Sequence, residues 1–174
     1  MKDIDKKAKL IRDALILAEK KHKGQKRKLS GSPYIHHPLM VSYLAAHFKS
    51  SKSLHKLIAA SLLHDLLEDT NIDPSSIAKS FGTDVASLVF ELTDDKEEIE
   101  KVGKLEYQKA KWCGISSYAL YLKLCDRLAN VSDGPTEKYQ QDTLEILKHL
   151  KRKRKLSKSQ KLVIAEIECV ISKE

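Results

Sequence analysis

The sequence predicts an all-α fold, a compact bundle of about eight or nine helices. Apolar residues recur at helical spacing along most of the chain. Glycine and proline are scarce, six and four in 174 residues, which suits long helices better than a turn-rich β fold. No stretch demands a strand. The length suits one domain, residues 1–174, with a proper core.

Composition narrows the class. The chain is 41% apolar and 32% charged, as in a soluble globular protein and unlike a disordered one. Cys113, Cys125 and Cys169 are odd in number and form no Cys-x-x-Cys, which excludes a disulfide framework or thiolate zinc site and fits a reduced, cytoplasmic protein. Arg12 and Asp13 interrupt any signal-peptide core, and no apolar run approaches the ~18 residues of a membrane span. The net charge of +8 comes largely from Lys20–Lys28 and Lys148–Lys161. Such a surplus points to an anionic partner: nucleic acid, an acidic membrane or a phosphorylated small molecule. A solvated helix face is the ordinary alternative.

The first helix runs from about Ile4 to His22, with Ala8, Ile11, Ala14, Leu15 and Ala18 at helical spacing. The loop Lys23–Pro33 follows. Its Arg27 and Lys28 offer a forked donor and a mobile point charge, suited to phosphate, at the exit from the helix. Pro38 fits the first position of a second helix reaching Phe48, with His37 at its entry. Leu39, Tyr43, Leu44 and Ala46-His47 are the candidates for its packed side.

The third helix, Leu54 to Leu67, is apolar nearly all round in its C-terminal half, the mark of a central, buried helix. Set into its end are His64, Asp65, Glu68 and Asp69. On a continuous helix these four occupy one arc of about 140°. Three carboxylates so close repel one another, and a divalent cation relieves the repulsion; a plain solvated helix end is the alternative.

Asp73 caps a short helix that ends at Phe81-Gly82, and Thr83 or Asp84 caps the next, through Leu92. Glu97–Lys111 reads as one charged helix with Gly103 in its middle. A helix from about Tyr118 to Val131 carries Asp126 and Asn130 on one face, with Lys123 one turn back. Neutralisation of Asp126 by Arg127 is the ordinary reading of that aspartate. After the turn at Asp133–Thr136, a helix bearing Tyr139, Leu144, Ile146, Leu147 and Leu150 runs into the exposed basic run Lys151–Lys155. Ser157 caps a last helix with Leu162, Ile164, Ala165 and Ile167 inward.

His37, His64, Asp65 and Asp126 together make two imidazoles and two carboxylates, a mix suited to Mn²⁺ or Fe²⁺. The motifs Gly24-Gln25-Lys26-Arg27-Lys28, Pro33-Tyr34-Ile35-His36-His37-Pro38, Leu63-His64-Asp65-Leu66-Leu67-Glu68-Asp69-Thr70, Phe81-Gly82, Leu92-Thr93-Asp94-Asp95 and Lys123–Asn130 occur in that order. The set resembles the HD-domain metal phosphohydrolases, and more narrowly the (p)ppGpp hydrolase domain of the RelA/SpoT family. The chain is similar in size to its single-domain members, the small alarmone hydrolases of the Mesh1 type, and has no room for the synthetase domain of long members.

The resemblance implies an HD-type helical bundle and an activity: Mn²⁺-dependent removal of the 3′-pyrophosphate of guanosine tetra- or pentaphosphate, giving GDP or GTP. It implies His37, His64, Asp65 and Asp126 as metal ligands and Glu68 and Asp69 as the catalytic acidic pair. It implies Arg27, Lys28, Asn130 and Tyr139 as nucleotide contacts. Leu120 and Ser132 stand where relatives carry basic residues, as do Glu100 and Gly103 near the pyrophosphate, where Lys96, Lys101 or Lys104 are the substitutes. These departures spare the metal site and leave the nucleotide open: a guanosine alarmone first, ppApp or the 2′-phosphate of NADPH as alternatives. A non-catalytic nucleic-acid-binding protein using the basic run ranks last, because that run lacks interleaved aromatics. The expected partner is a small nucleotide, with no membrane and no nucleic acid.

Overall fold

The computed structural model describes residues 3–173. Among them are eleven helices and no strand, the one β-type feature being an isolated bridge between Lys26 and Pro33. None of these helices is long and apolar enough to cross a membrane. The chain divides into two compact units, with the boundary between Thr93 and Asp94.

The first unit holds α1 (Asp3–Lys21), α2 (His36–His47), α3 (Leu54–Leu63), α4 (Leu66–Asp69), α5 (Pro74–Phe81) and α6 (Thr83–Leu92). α3 is its centre, packed against α1, α2 and α6. Leu57, Ala59, Ala60, Leu62 and Leu63 are buried. Burying one such leucine contributes about 1.5–3 kcal/mol. The small buried faces of α1 (Ala14, Ala18) and α2 (Val41, Ala45) let both helices approach α3 closely. The packed side of α2 is therefore not the one expected from the sequence: Leu39 and Tyr43 are 39% and 65% exposed. Pro38 is the third residue of α2, not the first. It still lies in the first turn, where a missing N–H leaves no helix bond unmade.

The expected helix to Leu67 is broken. α3 stops at Leu63 and a single turn, α4, resumes at Leu66. At the break the Ser61 carbonyl receives the His64 Nδ1–H. In a continuous helix it would be the acceptor for the Asp65 N–H. Further on, the Asp73 carboxylate accepts the Ser75 N–H as expected. α6 begins differently, with Gly82 at the cap in a conformation (φ 85°) that glycine alone adopts readily. Thr83 is thus the first helical residue, and Asp84 instead pairs with Lys56.

The second unit holds α7 (Lys96–Val102), α8 (Lys104–Gly114), α9 (Ser117–Val131), α10 (Glu137–Lys153) and α11 (Lys158–Ser172). α9 packs on α11, and α10 on α8. Gly103, at φ 83°, splits the single charged helix expected there into α7 and α8. This split and the break before α4 account for the difference between nine expected helices and eleven. Ser116, Thr136 and Ser157 each accept a first-turn N–H, and Gln160 completes a capping box with Ser157. Leu120, where a lysine was expected, is fully buried among the core residues of α9. Two corrections concern the C-terminal helices. Leu162 is 47% exposed and Ala165 is exposed, so the inward side of α11 is Val163, Ile164 and Ile167. Arg154, within the basic run expected in solvent, donates to the carbonyls of Trp112, Cys113 and Ile115 and so closes the end of α8.

Candidate active site

In the first unit two imidazole nitrogens and a tyrosine hydroxyl gather at one carboxylate oxygen. His64 is 3% exposed, and its Nδ1 lies 2.7 Å from the Ser61 carbonyl. A carbonyl only accepts, so Nδ1 carries a proton, and in the neutral imidazole Nε2 keeps the lone pair. That Nε2 faces Asp65 Oδ2 at 3.1 Å. His37, also buried, directs its Nε2 to the same oxygen at 3.6 Å, with the two imidazole centroids 5.3 Å apart. A lone pair set against a carboxylate oxygen is favourable only when a cation lies between them, either a proton on the imidazole or a metal ion. The residues therefore fit a divalent ion that takes nitrogen and oxygen donors. The hydrogen bond from His64 to a backbone carbonyl is the kind that fixes a metal-binding imidazole.

Asp65 Oδ2 also accepts a hydrogen bond of 2.7 Å from the Tyr34 hydroxyl. Tyr34 lies just after a loop closed by the Lys26–Pro33 bridge and by the Arg27 N–H to the Ser32 carbonyl. This loop carries Arg27 and Lys28. The Arg27 guanidinium lies over the Tyr34 ring at 5.9 Å, and Lys28 is exposed. Glu68 and Asp69 sit on α4, half-buried and exposed respectively. The main-chain carbonyl of Asp69 accepts from Gln25 Nε2 at 3.0 Å.

In the second unit Asp126 is half-buried on α9. Its Oδ1 accepts from Asn130 Nδ2 at 2.7 Å, and its Oδ2 lies 3.6 Å from Lys123 Nζ. The three therefore share one face, as their spacing predicts. Lys123 Nζ is also 3.8 Å from Asp94, to which Lys111 donates at 2.8 Å. Arg127 does not neutralise Asp126. It is buried elsewhere, donating to Gln108 Oε1 at 2.7 Å and Thr143 Oγ1 at 2.8 Å. Its guanidinium lies 5.0 Å from the Trp112 ring centroid and 4.6 Å from that of Tyr139. Tyr139 thus has an arginine on its ring, which ties it to the core of this unit. Sequence reasoning gave no role to Gln25, Tyr34 or Gln108. Gln25 and Tyr34 lie inside motifs already singled out, and only folding shows what they reach.

An HD domain model matches residues 14–157. The chain belongs to the HD domain family. Over 129 residues it is 40% identical to the guanosine-3′,5′-bis(diphosphate) 3′-pyrophosphohydrolase Mesh1 of Xenopus tropicalis, covering 72% of this chain and 70% of that protein. It is 37% identical over 122 residues to human Mesh1, covering 70% and 67%. A 3′-pyrophosphohydrolase of Aquifex aeolicus is 36% identical over 154 residues, but the match covers only 20% of that much longer protein. Among solved structures, one described as a metazoan ortholog of SpoT that hydrolyzes ppGpp superposes with a TM-score of 0.74 at 30% identity, covering 91% of this chain and 93% of its own. Within the first unit, His37 and His64 supply imidazole donors that could hold a metal ion.

Proposed function

We propose that this chain is a metal-dependent alarmone hydrolase that converts ppGpp and pppGpp to GDP and GTP by releasing the 3′-pyrophosphate. The carrying observation is the convergence of His37 Nε2 and His64 Nε2 on Asp65 Oδ2 in a chain 40% identical to a named 3′-pyrophosphohydrolase. Residues 1–174 act as one HD-type domain, in the cytoplasm, on a small nucleotide.

In this reading His37, His64, Asp65 and Asp126 hold one divalent cation, Mn²⁺ by the balance of imidazole and carboxylate donors. When bound, such an ion polarises a phosphoryl oxygen and lowers the pKa of water. The chain's own residues do the rest. A water oxygen bonds to the phosphorus attached to the ribose 3′ oxygen, the bond from that phosphorus to the 3′ oxygen breaks, and the 3′ oxygen takes up a proton. Glu68 and Asp69, on the turn after Asp65, orient the water and accept its proton. Arg27 and Lys28 neutralise phosphate charge. Asn130 and Tyr139 contact the nucleotide, Tyr139 held for this by Arg127.

The test is one Mn²⁺-loaded sample assayed against ppGpp, ppApp and NADPH. Pyrophosphate released from ppGpp is the expected result. Turnover of ppApp or NADPH alone would move the substrate while keeping the HD chemistry. Turnover of none, alongside salt-sensitive nucleic-acid binding, would replace the enzyme reading with a binding protein.

A further inference from the structure

We infer that Tyr34 is a positioning residue that presets Asp65 for the metal and joins this ligand to the phosphate-binding arginine; the inference rests on the metal-dependent reading above. Tyr34 touches both parts of the machinery. Its hydroxyl donates to Asp65 Oδ2, the oxygen nearest both imidazole nitrogens. The guanidinium of Arg27 lies over its ring. The ring is held in turn by the buried His22, centroid to centroid 4.7 Å, and by the edge contact with His37 at 5.9 Å.

The hydroxyl has a definite task. In the neutral imidazole of His64, with its proton on Nδ1, the lone pair of Nε2 and the charge of Asp65 repel each other until a cation arrives. The Tyr34 proton gives Oδ2 a donor, so the oxygen stays beside the two imidazoles before the ion enters. Preorganisation of this kind raises affinity by removing the work of assembling the site. The ring has a second task, as the surface on which Arg27 rests.

The two tasks separate in two variants. Tyr34→Phe keeps the ring with its His22, His37 and Arg27 contacts and removes only the hydroxyl. Calorimetric titration with Mn²⁺ alone is expected to show affinity lower by about 10–100-fold, while KM for nucleotide at saturating Mn²⁺ stays at the wild-type value. Tyr34→Leu removes the ring too, and is expected to add a several-fold rise in KM. Tyr34→Phe retains the packing, so it decides the matter even where Tyr34→Leu fails to fold. Wild-type Mn²⁺ affinity in Tyr34→Phe would overturn the inference and leave the metal reading intact. A wild-type protein that binds no Mn²⁺ would overturn both.

Discussion

Gln25 Nε2 donates to the main-chain carbonyl of Asp69 across 3.0 Å, joining two residues 44 positions apart. The other end of the same amide, Oε1, takes the Nδ1–H of His22 at 2.7 Å. The bond to Asp69 settles the amide orientation, because a carbonyl needs the NH₂ side. One side chain thus ties the one-turn helix of the acidic pair to the loop that carries Arg27 and Lys28. Gln25→Ala breaks the tie and leaves a nearly buried imidazole donor, 2% exposed, without its acceptor. It should lose about 1–3 kcal/mol of stability in urea unfolding. Turnover should fall while Mn²⁺ affinity is unchanged. Adding His22→Phe to Gln25→Ala should restore part of the stability, since both polar partners are then gone, but not the turnover. Equal recovery of both would mean that Gln25 serves the packing only.

Glu68 and Asp69 lie past the break in the central helix, whereas His64 and Asp65 form the break itself. Glu68→Gln and Asp69→Asn should each reduce pyrophosphate release by about 10²–10⁴-fold, the usual contribution of a positioned acid or base. Calorimetry should show Mn²⁺ binding retained in both. Loss of metal binding in step with turnover would move the pair into the ligand set.

Asp73 offers a pH test of the fold that leaves the site alone. The side-chain hydrogen bond from Ser75, and then the Ser75 N–H at the start of α5, hold its carboxyl below the usual carboxylate range. A carboxyl whose pKa is lower folded than unfolded adds stability above its unfolded value, about 3.9. That stability is lost as pH falls through the lower, folded value. Asp73→Ala should therefore melt a few degrees below the parent at pH 7, with the gap closing below about pH 4. A gap independent of pH would mean that the capping charge contributes nothing.

Local signals were legible and distant side-chain pairs were not. The Ser157 cap, the Asp73 cap and the apolar run before His64 are each set by near neighbours in sequence, so their physics shows in the letters. The four proposed ligands stand in the sequence as residue types at the entry of, or on, predicted helices. The packed face of α2 was not. That helix is apolar on several sides, and its small side, Val41 and Ala45, meets α3 while Tyr43 stays outside. Nor does periodicity carry any trace of Tyr34 with Asp65, or of Arg127 with Gln108. Each pair bridges separate elements and is set by how the chain folds back.

Arg127 carries the last prediction. It is 4% exposed, shares its donors between Gln108 and Thr143, and lies against the rings of Trp112 and Tyr139. Lysine keeps the charge but has no planar fork to serve two acceptors, and it stacks poorly on an aromatic ring. Arg127→Lys should therefore cost about 2–4 kcal/mol in denaturant unfolding through the weakened charged hydrogen bonds and ring contacts. Trp112 is the sole tryptophan, so its emission should shift in the folded variant and report the disturbance directly. KM for nucleotide should rise, because Tyr139 loses the planar guanidinium that fixes its ring, while Mn²⁺ affinity stays the same. An unchanged KM with the same loss of stability would assign Tyr139 to the core and remove it from the nucleotide contacts. Restoring the fork with arginine analogues is unnecessary, since Gln108→Ala breaks one branch alone and should show the stability loss in smaller measure.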